Sequence, residues 1–421
     1  QMSSLEDKIT ADNPVRFIDA FVNHIDAVKI GFQPKILKTE GRPNFRLEVF
    51  LKLYLYGYLN GVRSSRRLEK ECFRNIEVQW LLEAIYPNYH SIADFRKDNP
   101  KALKQLFKLF VSFLKDAELI AGDTIAIDGT KSRAHNSKKA NYNQKKIDKH
   151  KAYIDAKSQE YLDQLEQNDI QENPVVIKNI QQKIEGLKQN KIKYELLEEE
   201  LKNSGEPQIS TTDADARALL VQGQVVEVSY NIQAAVDSKH NLVVATHTIN
   251  RNDKNALAAI ALEVKENLAL ETFTVLVDKG YHNGRELHTC KQNNITTIVA
   301  VPEQGKSNEN GTQPEYLVSK FIYNKENNSY TCPEGKTLTT TGSWHKKTGR
   351  TEESGYNFQK YRTPACKTCL VKGLCTSRNG GREIDRSQYA DAVEENHQRY
   401  KDNPQLYRKR QEINEHIFGT I

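Results

Sequence analysis

No apolar run in this chain approaches the roughly 18 residues that a membrane-spanning helix requires. The opening Gln1-Met2-Ser3-Ser4-Leu5-Glu6-Asp7-Lys8 lacks the basic-then-apolar pattern of a secretory leader. The reading is therefore of a chain without membrane segments and with a cytoplasmic location. Cysteine is scarce: six in 421 residues, two of them isolated (Cys72, Cys290) and four confined between positions 332 and 375. In the cytosol such a group argues for zinc rather than disulfides. A large excess of one charge is also missing, the net value being +6. Any case for nucleic acid therefore rests on how the charge is distributed. With 38% hydrophobic and 28% charged residues the chain is not disordered, and its length predicts two to four units.

The charge is uneven. Residues 14 to 118 read as successive helices without strands. In Arg46–Leu59 the apolar positions Leu47, Phe50, Leu51, Tyr54, Leu55 and Tyr58 have the spacing of one helix face. Asn60-Gly61 ends that helix, and Ser64 and Ser65 open the next. Ser91-Ile92-Ala93-Asp94 reads as a capping box, and Asn99-Pro100 as a cap with proline at the first helical position. These short helices resemble a helix-turn-helix arrangement. Arg63, Arg66, Arg67, Lys70 and Arg74, diluted only by Glu69 and Glu71, favour DNA contact; a helical domain that merely packs against the rest is the alternative. A second basic cluster runs from Lys131 and Arg133 to Lys151, with eight basic residues and the single acid Asp148.

From 139 to 205 the pattern is a charged helical hairpin. Ile147, Ile154 and Tyr161 recur at seven, and Ile177, Ile180, Ile184, Leu187 and Tyr194 follow coiled-coil spacing. It serves either as a solvated spacer or as an arm that dimerises or holds DNA. Beyond it, Val225–Asp237 and Asn241–Ile249 read as a β-hairpin, followed by a helix over 253–268 and strands ending at Asp278 and at Val301. The order β-β-β-α-β-α-β predicts a mixed α/β sheet.

Two apolar runs end abruptly on a carboxylate: Asp128 closes the strand from Thr124, and Asp278 closes the strand from Phe273. Glu415 lies on a helix-patterned segment beginning near Pro404. Three acids on converging elements predict a site for Mg²⁺ or Mn²⁺, two ions of which would clamp the attacking and leaving oxygens of an in-line phosphoryl displacement. Cys332, Cys366, Cys369 and Cys375, the last three at C-x2-C-x5-C spacing, predict a closed structural zinc site; unpaired structural cysteines are the alternative. His282 and His416 are left outside the metal sites, and Asp213, Asp215 and Asp237 read as turn or cap residues.

The element order, with Ile127-Asp128-Gly129-Thr130-Lys131, Asp278-Lys279-Gly280-Tyr281 and Tyr407–Ile421, resembles the RNase H-like DDE transposases of bacterial insertion sequences. The resemblance implies that Asp128, Asp278 and Glu415 bind catalytic metal. It also implies that Tyr407 and Arg410, matching a Y-x2-R element, position DNA phosphates. Four residues separate Arg410 from Glu415 where the common pattern has three, and a lysine frequent in the family would fall at position 422. The expected organisation is an N-terminal helical DNA-binding domain (1–118), an RNase H-like core (119–305) holding the hairpin insertion (139–205), a cysteine-rich β insertion (306–392) and a C-terminal core helix (393–421). The expected function is metal-dependent cleavage and strand transfer at terminal inverted repeats, by a homodimer on double-stranded DNA at the bacterial nucleoid. A truncated, inactive DNA-binding remnant and a nuclease that cuts without joining are the alternatives.

Overall fold

The computed structural model describes residues 4–33, 45–133, 137–169, 174–222, 225–302, 312–349 and 355–420. The chain divides into two compact units, Gln1–Glu118 and Leu119–Ile421.

The first unit is helical: α1 (Pro14–His24), α2 (Leu47–Leu59), α3 (Ser65–Arg74), α4 (Ile76–Leu81), α5 (Tyr89–Asp98) and α6 (Pro100–Asp116). Helix α2 departs from the one-face reading, because Val49 to Tyr54, Tyr56 and Gly57 are all buried, including Lys52, which pairs with Asp19 at 2.5 Å. It is the central helix of this unit, and its apolar residues pack on several sides. At Gly57 a Cβ would come within 2.6 Å of both Leu68 Cδ2 and the Val62 carbonyl oxygen, so only glycine admits α3 this close. Two cap assignments are corrected. Asn88, not Ser91, caps α5 by accepting from the Ser91 N–H at 2.8 Å. The Asn99 side chain donates back to the Phe95 carbonyl at 2.8 Å and makes no cap bond, although Pro100 does open α6. On α3, Arg66, Arg67, Lys70 and Arg74 are exposed while Leu68 and Cys72 are buried, so the basic residues share the outward side.

The second unit is built on a mixed sheet. Its strands are β1 (Thr124–Arg133), the short β2 (Asn141–Tyr142) and β3 (Ile209–Ser210), then β4 (Arg217–Gln222), β5 (Val225–Asp237) and β6 (Val243–Ile249). Between β2 and β3 rise α7 (Gln144–Asp169) and α8 (Pro174–Ser204), and after β6 come α9 (Leu257–Asn267), β7 (Phe273–Val277), α10 (Gly284–Gln292) and β8 (Ile295–Val299). The strand order is β4-β5-β1-β7-β8, with β6 also on β5. Strand β5 is antiparallel to β1, β4 and β6, whereas β1, β7 and β8 run parallel. This mixed sheet is consistent with an RNase H-like core. Sequence pattern missed β4 and the two-residue pair β2–β3, which are too short or too irregular to carry a period. Helices α7 and α8 are antiparallel, as the pairs Lys151–Glu198 (2.8 Å) and Lys191–Asp155 (2.6 Å) require. At the foot of this hairpin Tyr142, Ile147, Leu197, Leu201 and Ile209 form their own small core.

Two three-stranded antiparallel sheets follow: β9 (Ile322–Asn324), β10 (Ser329–Thr331) and β11 (Thr337–Thr339), then β12 (Trp344–Lys347), β13 (Tyr356–Tyr361) and β14 (Ile384–Ser387). The one-turn α11 (Lys372–Cys375) lies between β13 and β14. Buried Phe321, Tyr330, Leu338, Tyr361 and Ile384 join these strands. Helices α12 (Ala390–Asp402) and α13 (Pro404–Thr420) complete the chain. The charge-rich α12 was not foreseen as a separate helix.

Helix α12 finishes the sheet in an unusual way. Asn396 is fully buried; its Oδ1 accepts from the Val299 N–H at 2.9 Å and its Nδ2 donates to the Val299 carbonyl at 3.0 Å. Arg399 Nε donates to the Thr297 carbonyl at 3.0 Å. One amide thus stands in for a neighbouring strand along β8. Asn396→Ala strands both Val299 groups, each at about 1–3 kcal/mol, and should lower unfolding stability by roughly 2 kcal/mol or more in a urea titration.

Candidate active site

Strands β1 and β7 pair in parallel with Thr124 opposite Thr274 and Ala126 opposite Leu276, which brings their C-terminal ends, with Asp128 and Asp278, to the same level. Asp128 sits where β1 leaves its fully buried stretch Ile125–Ile127. Its Oδ1 accepts from the Gly129 N–H at 2.8 Å and its Oδ2 from Arg410 Nη1 on α13 at 3.0 Å. Asp278 caps the 3-10 turn Lys279–Tyr281 by accepting from the Gly280 N–H at 2.7 Å. Burial raises the Asp128 carboxyl above the ordinary carboxylate range, and the charges of Asp278 and Asp253 push the same way; Gly129 and Arg410 oppose them.

Helix α13 enters this site with its Tyr407 and Arg410 side. The Arg410 guanidinium lies 5.8 Å from the Tyr407 ring, and Tyr407 packs edge-on against Tyr400 at 4.9 Å. Burial raises the Tyr407 hydroxyl's pKa, with Arg410 opposing it and Asp278 adding to it. One turn on, Ile413 is buried against Ala126, Val236, Leu276 and Ile298. At 3.6 residues per turn, Glu415 projects about 140° around the helix from Arg410, and it is exposed. Asn414, three residues beyond Arg410 plus one, lies on the Arg410 side. It is 2% exposed, and neither polar atom of its side chain has a hydrogen-bond partner. The extra residue between Arg410 and Glu415 therefore places an amide where the common pattern puts its acid. Among the described residues no three His, Cys, Asp or Glu side chains stand ready to hold a metal ion.

The carboxylate that does come near the pair is Asp253, in the 3-10 turn Asp253–Asn255 ahead of α9. It escaped sequence reasoning because it lies in a polar loop. A signal was present in β5, where the polar Ser229, Asn231 and Gln233 recur at alternate positions; all three are fully buried. Lys131 belongs to the same group, its Nζ 3.2 Å from Asp253 Oδ1 and its side chain 12% exposed. Arg133 is exposed and pairs with Glu227. In the first unit Arg63, Arg66 and Arg67 are exposed, and Arg66 lies over the Tyr89 ring at 5.0 Å. His282 is half-buried, its Nε2 has no partner, and burial lowers its pKa.

Cys332, Cys366, Cys369 and Cys375 line one recess of the small sheets, although their thiols do not stand in a ligating arrangement. Cys332 Sγ accepts from the Lys336 N–H at 3.2 Å. Burial raises the Cys375 thiol, with Arg382 lowering it and the other three cysteines raising it. Gly381, at φ +94°, has its Cα side turned onto Cys366, whose Sγ would lie 3.3 Å from an added Cβ. By contrast, burial drives the thiols of Cys72 and Cys290 up to about 12.

Residues 3–98 match the family described as Transposase domain (DUF772), and residues 331–421 match the family described as Transposase DDE domain. The second match contains the four cysteines, Tyr407, Arg410 and Glu415; neither match reaches Asp128 or Asp278. No curated protein and no solved structure matches the chain. The two matches, each over less than half of the chain, support a transposase-type protein in general. No described helix is long and apolar enough to cross a membrane.

Within the second matched stretch, Glu383 secures the loop beside the cysteines. It pairs with Lys360 and Arg378 at 2.8 Å each and with Arg362 at 3.4 Å. Lys360, against the effect of burial and with help from Arg378, lowers its carboxyl from 4.5 to about 2. Because the folded value lies below the unfolded one, Glu383 adds stability above about pH 4.5 that is lost as pH falls toward 2. Glu383→Gln should lower the melting temperature at neutral pH and flatten its decline on acidification, measured by thermal melts between pH 7 and 2.5.

Proposed function

On the premise of a transposase-type chain, we propose that this protein cleaves DNA at the terminal inverted repeats of an insertion sequence and joins the freed 3′-OH to target DNA. The observation that carries this reading is the juxtaposition of Asp128 and Asp278 at adjacent strand ends, with Arg410 and Tyr407 reaching them from α13.

Hard oxygen donors partly withdrawn from water suit a divalent cation, so Asp128 and Asp278 would hold Mg²⁺ or Mn²⁺, with Glu415 as the acid the family pattern adds. When bound, paired cations lower the pKa of the attacking water or 3′-OH and stabilise the leaving oxygen. The chain's own part is positioning. The Arg410 guanidinium, held by Asp128 without DNA, is placed to exchange that carboxylate for a phosphate oxygen, and the Tyr407 hydroxyl lies beside it. The exposed Arg63, Arg66 and Arg67 of the first unit would contact DNA phosphates, as would the exposed Arg133 on β1, whereas Lys131 is taken up by Asp253. Two ends are cut together, so a homodimer on DNA belongs to this reading. The outward exposure of Glu415 favours a second reading, a DNA-binding protein without chemistry. Asp128→Asn should abolish Mg²⁺-dependent nicking of an inverted-repeat duplex while leaving its gel-shift affinity within about twofold, because the change removes no cationic contact to phosphate. Nicking by that variant at the wild-type rate rejects the first reading; absence of nicking by the wild-type chain favours the second.

The four cysteines, gathered at one recess, would hold a structural Zn²⁺ through four thiolates. Elemental analysis should then find one zinc per chain. Cys366→Ser should lose it and melt at lower temperature, since structural metal binding is folding free energy.

A further inference from the structure

Asp253 is anchored as firmly as any side chain near the paired aspartates. Its Oδ1 accepts from Asn231 Nδ2 at 2.7 Å, Gln233 Nε2 at 3.0 Å and Lys131 Nζ at 3.2 Å. Gln233 in turn accepts from the hydroxyl of Tyr281, three residues past Asp278 and fully buried. Three donors on one oxygen leave Oδ2 to face elsewhere, and the surroundings of Gly280 show where. The point that a Gly280 Cβ would occupy is 2.9 Å from Asp278 Oδ1 and 3.6 Å from Asp253 Oδ2, so both oxygens front one space.

The same crowding appears beside Asp128. A Cβ at Gly129 would fall 2.8 Å from Asn231 Oδ1 and 3.0 Å from Asp253 Oδ1. Asn231 is fully buried, and that Oδ1 has no hydrogen-bond partner. An unpaired buried acceptor beside Asp253 marks a place that lacks a donor or a cation.

We infer that Asp253 is a third carboxylate of the cation site, its Oδ1 locked by Lys131, Asn231 and Gln233 and its Oδ2 left for the ion; the three carboxylates do not stand in ligating positions as they are, so binding draws them together. The inference rests on the reading of Asp128 and Asp278 as the cation-holding pair. It gives β5 a role in the site: Asn231 and Gln233 set the rotamer of a metal ligand, as outer partners of ligands commonly do.

Mn²⁺ titration of the full chain, followed by loss of the free-ion electron paramagnetic resonance signal, tests it in wild type, Asp253→Asn, Glu412→Gln and Asp128→Asn. Asparagine keeps one oxygen as acceptor for the three donors and replaces the other by an uncharged NH2. Asp253→Asn should weaken Mn²⁺ binding at least about tenfold. Glu412→Gln, at an exposed position of α13 outside the site, should change it less than about twofold. Wild-type affinity in Asp253→Asn overturns the inference. Wild-type affinity in Asp128→Asn instead overturns the reading on which it rests, so the two failures are told apart. Should Asp253→Asn melt without cooperativity, Asp253→Cys decides. A thiolate ligand favours soft ions, so Cd²⁺ should displace bound Mn²⁺ at lower concentration than from wild type, and unchanged competition counts against the inference.

Discussion

Like charges brought together and partly withdrawn from water are the constraint around which the second unit is organised. Asp128 leaves the buried part of β1, Asp278 caps the turn after β7, and Asp253 lies against both. Partial burial of Asp128 disfavours its charged form unless something answers it. The structure answers with the N–H groups of Gly129 and Gly280, with Lys131, and with Arg410 from the far end of the chain. It also accepts amides inside β5, where an apolar side chain would pack better, so that one Asp253 oxygen is fully satisfied. On the proposed reading, a divalent cation would balance the negative charge that these contacts leave over.

The sheet was legible because its strands are long, apolar and sharply ended. Thr124–Asp128 and Phe273–Asp278 have no helical period and stop on a carboxylate, and parallel pairing then leaves little freedom in where those carboxylates lie. The face of α13 was not legible in the same way. A helix at Pro404–Thr420 follows from pattern, but whether residue 414 or 415 points inward depends on one inserted residue, and the burial of Ile413 decides it. Asp253 was hidden for a different reason: loop acids are common, and only three partners from β1 and β5 distinguish this one. The cap of α5 fell to Asn88 rather than Ser91, and Asn99 turned its amide back to Phe95, because asparagine and serine cap about equally well and residue type alone does not settle the choice.

The small sheets carry a core of aromatic residues in place of a long aliphatic one. Tyr323, Tyr330 and Tyr361 pack with ring centroids 5.0 to 6.3 Å apart, and the Arg386 guanidinium lies 3.6 Å from the Tyr323 centroid while pairing with Asp391 and Glu394 at the start of α12. Burying that guanidinium is compensated by its two carboxylates. Arg386 therefore ties the last strand of the small sheets to the helix that leads back to the core.

The cover that Asn396 and Arg399 lay along β8 has a consequence for how copies of this chain can meet. An uncovered outer strand presents a row of free amides and carbonyls to which a foreign strand can anneal. Here Val299 has both groups taken, and the carbonyl of Thr297 is occupied. The Thr297–Val299 end of that border therefore offers little template for backbone zippering, and association there is left to side chains, whose identity can be selective.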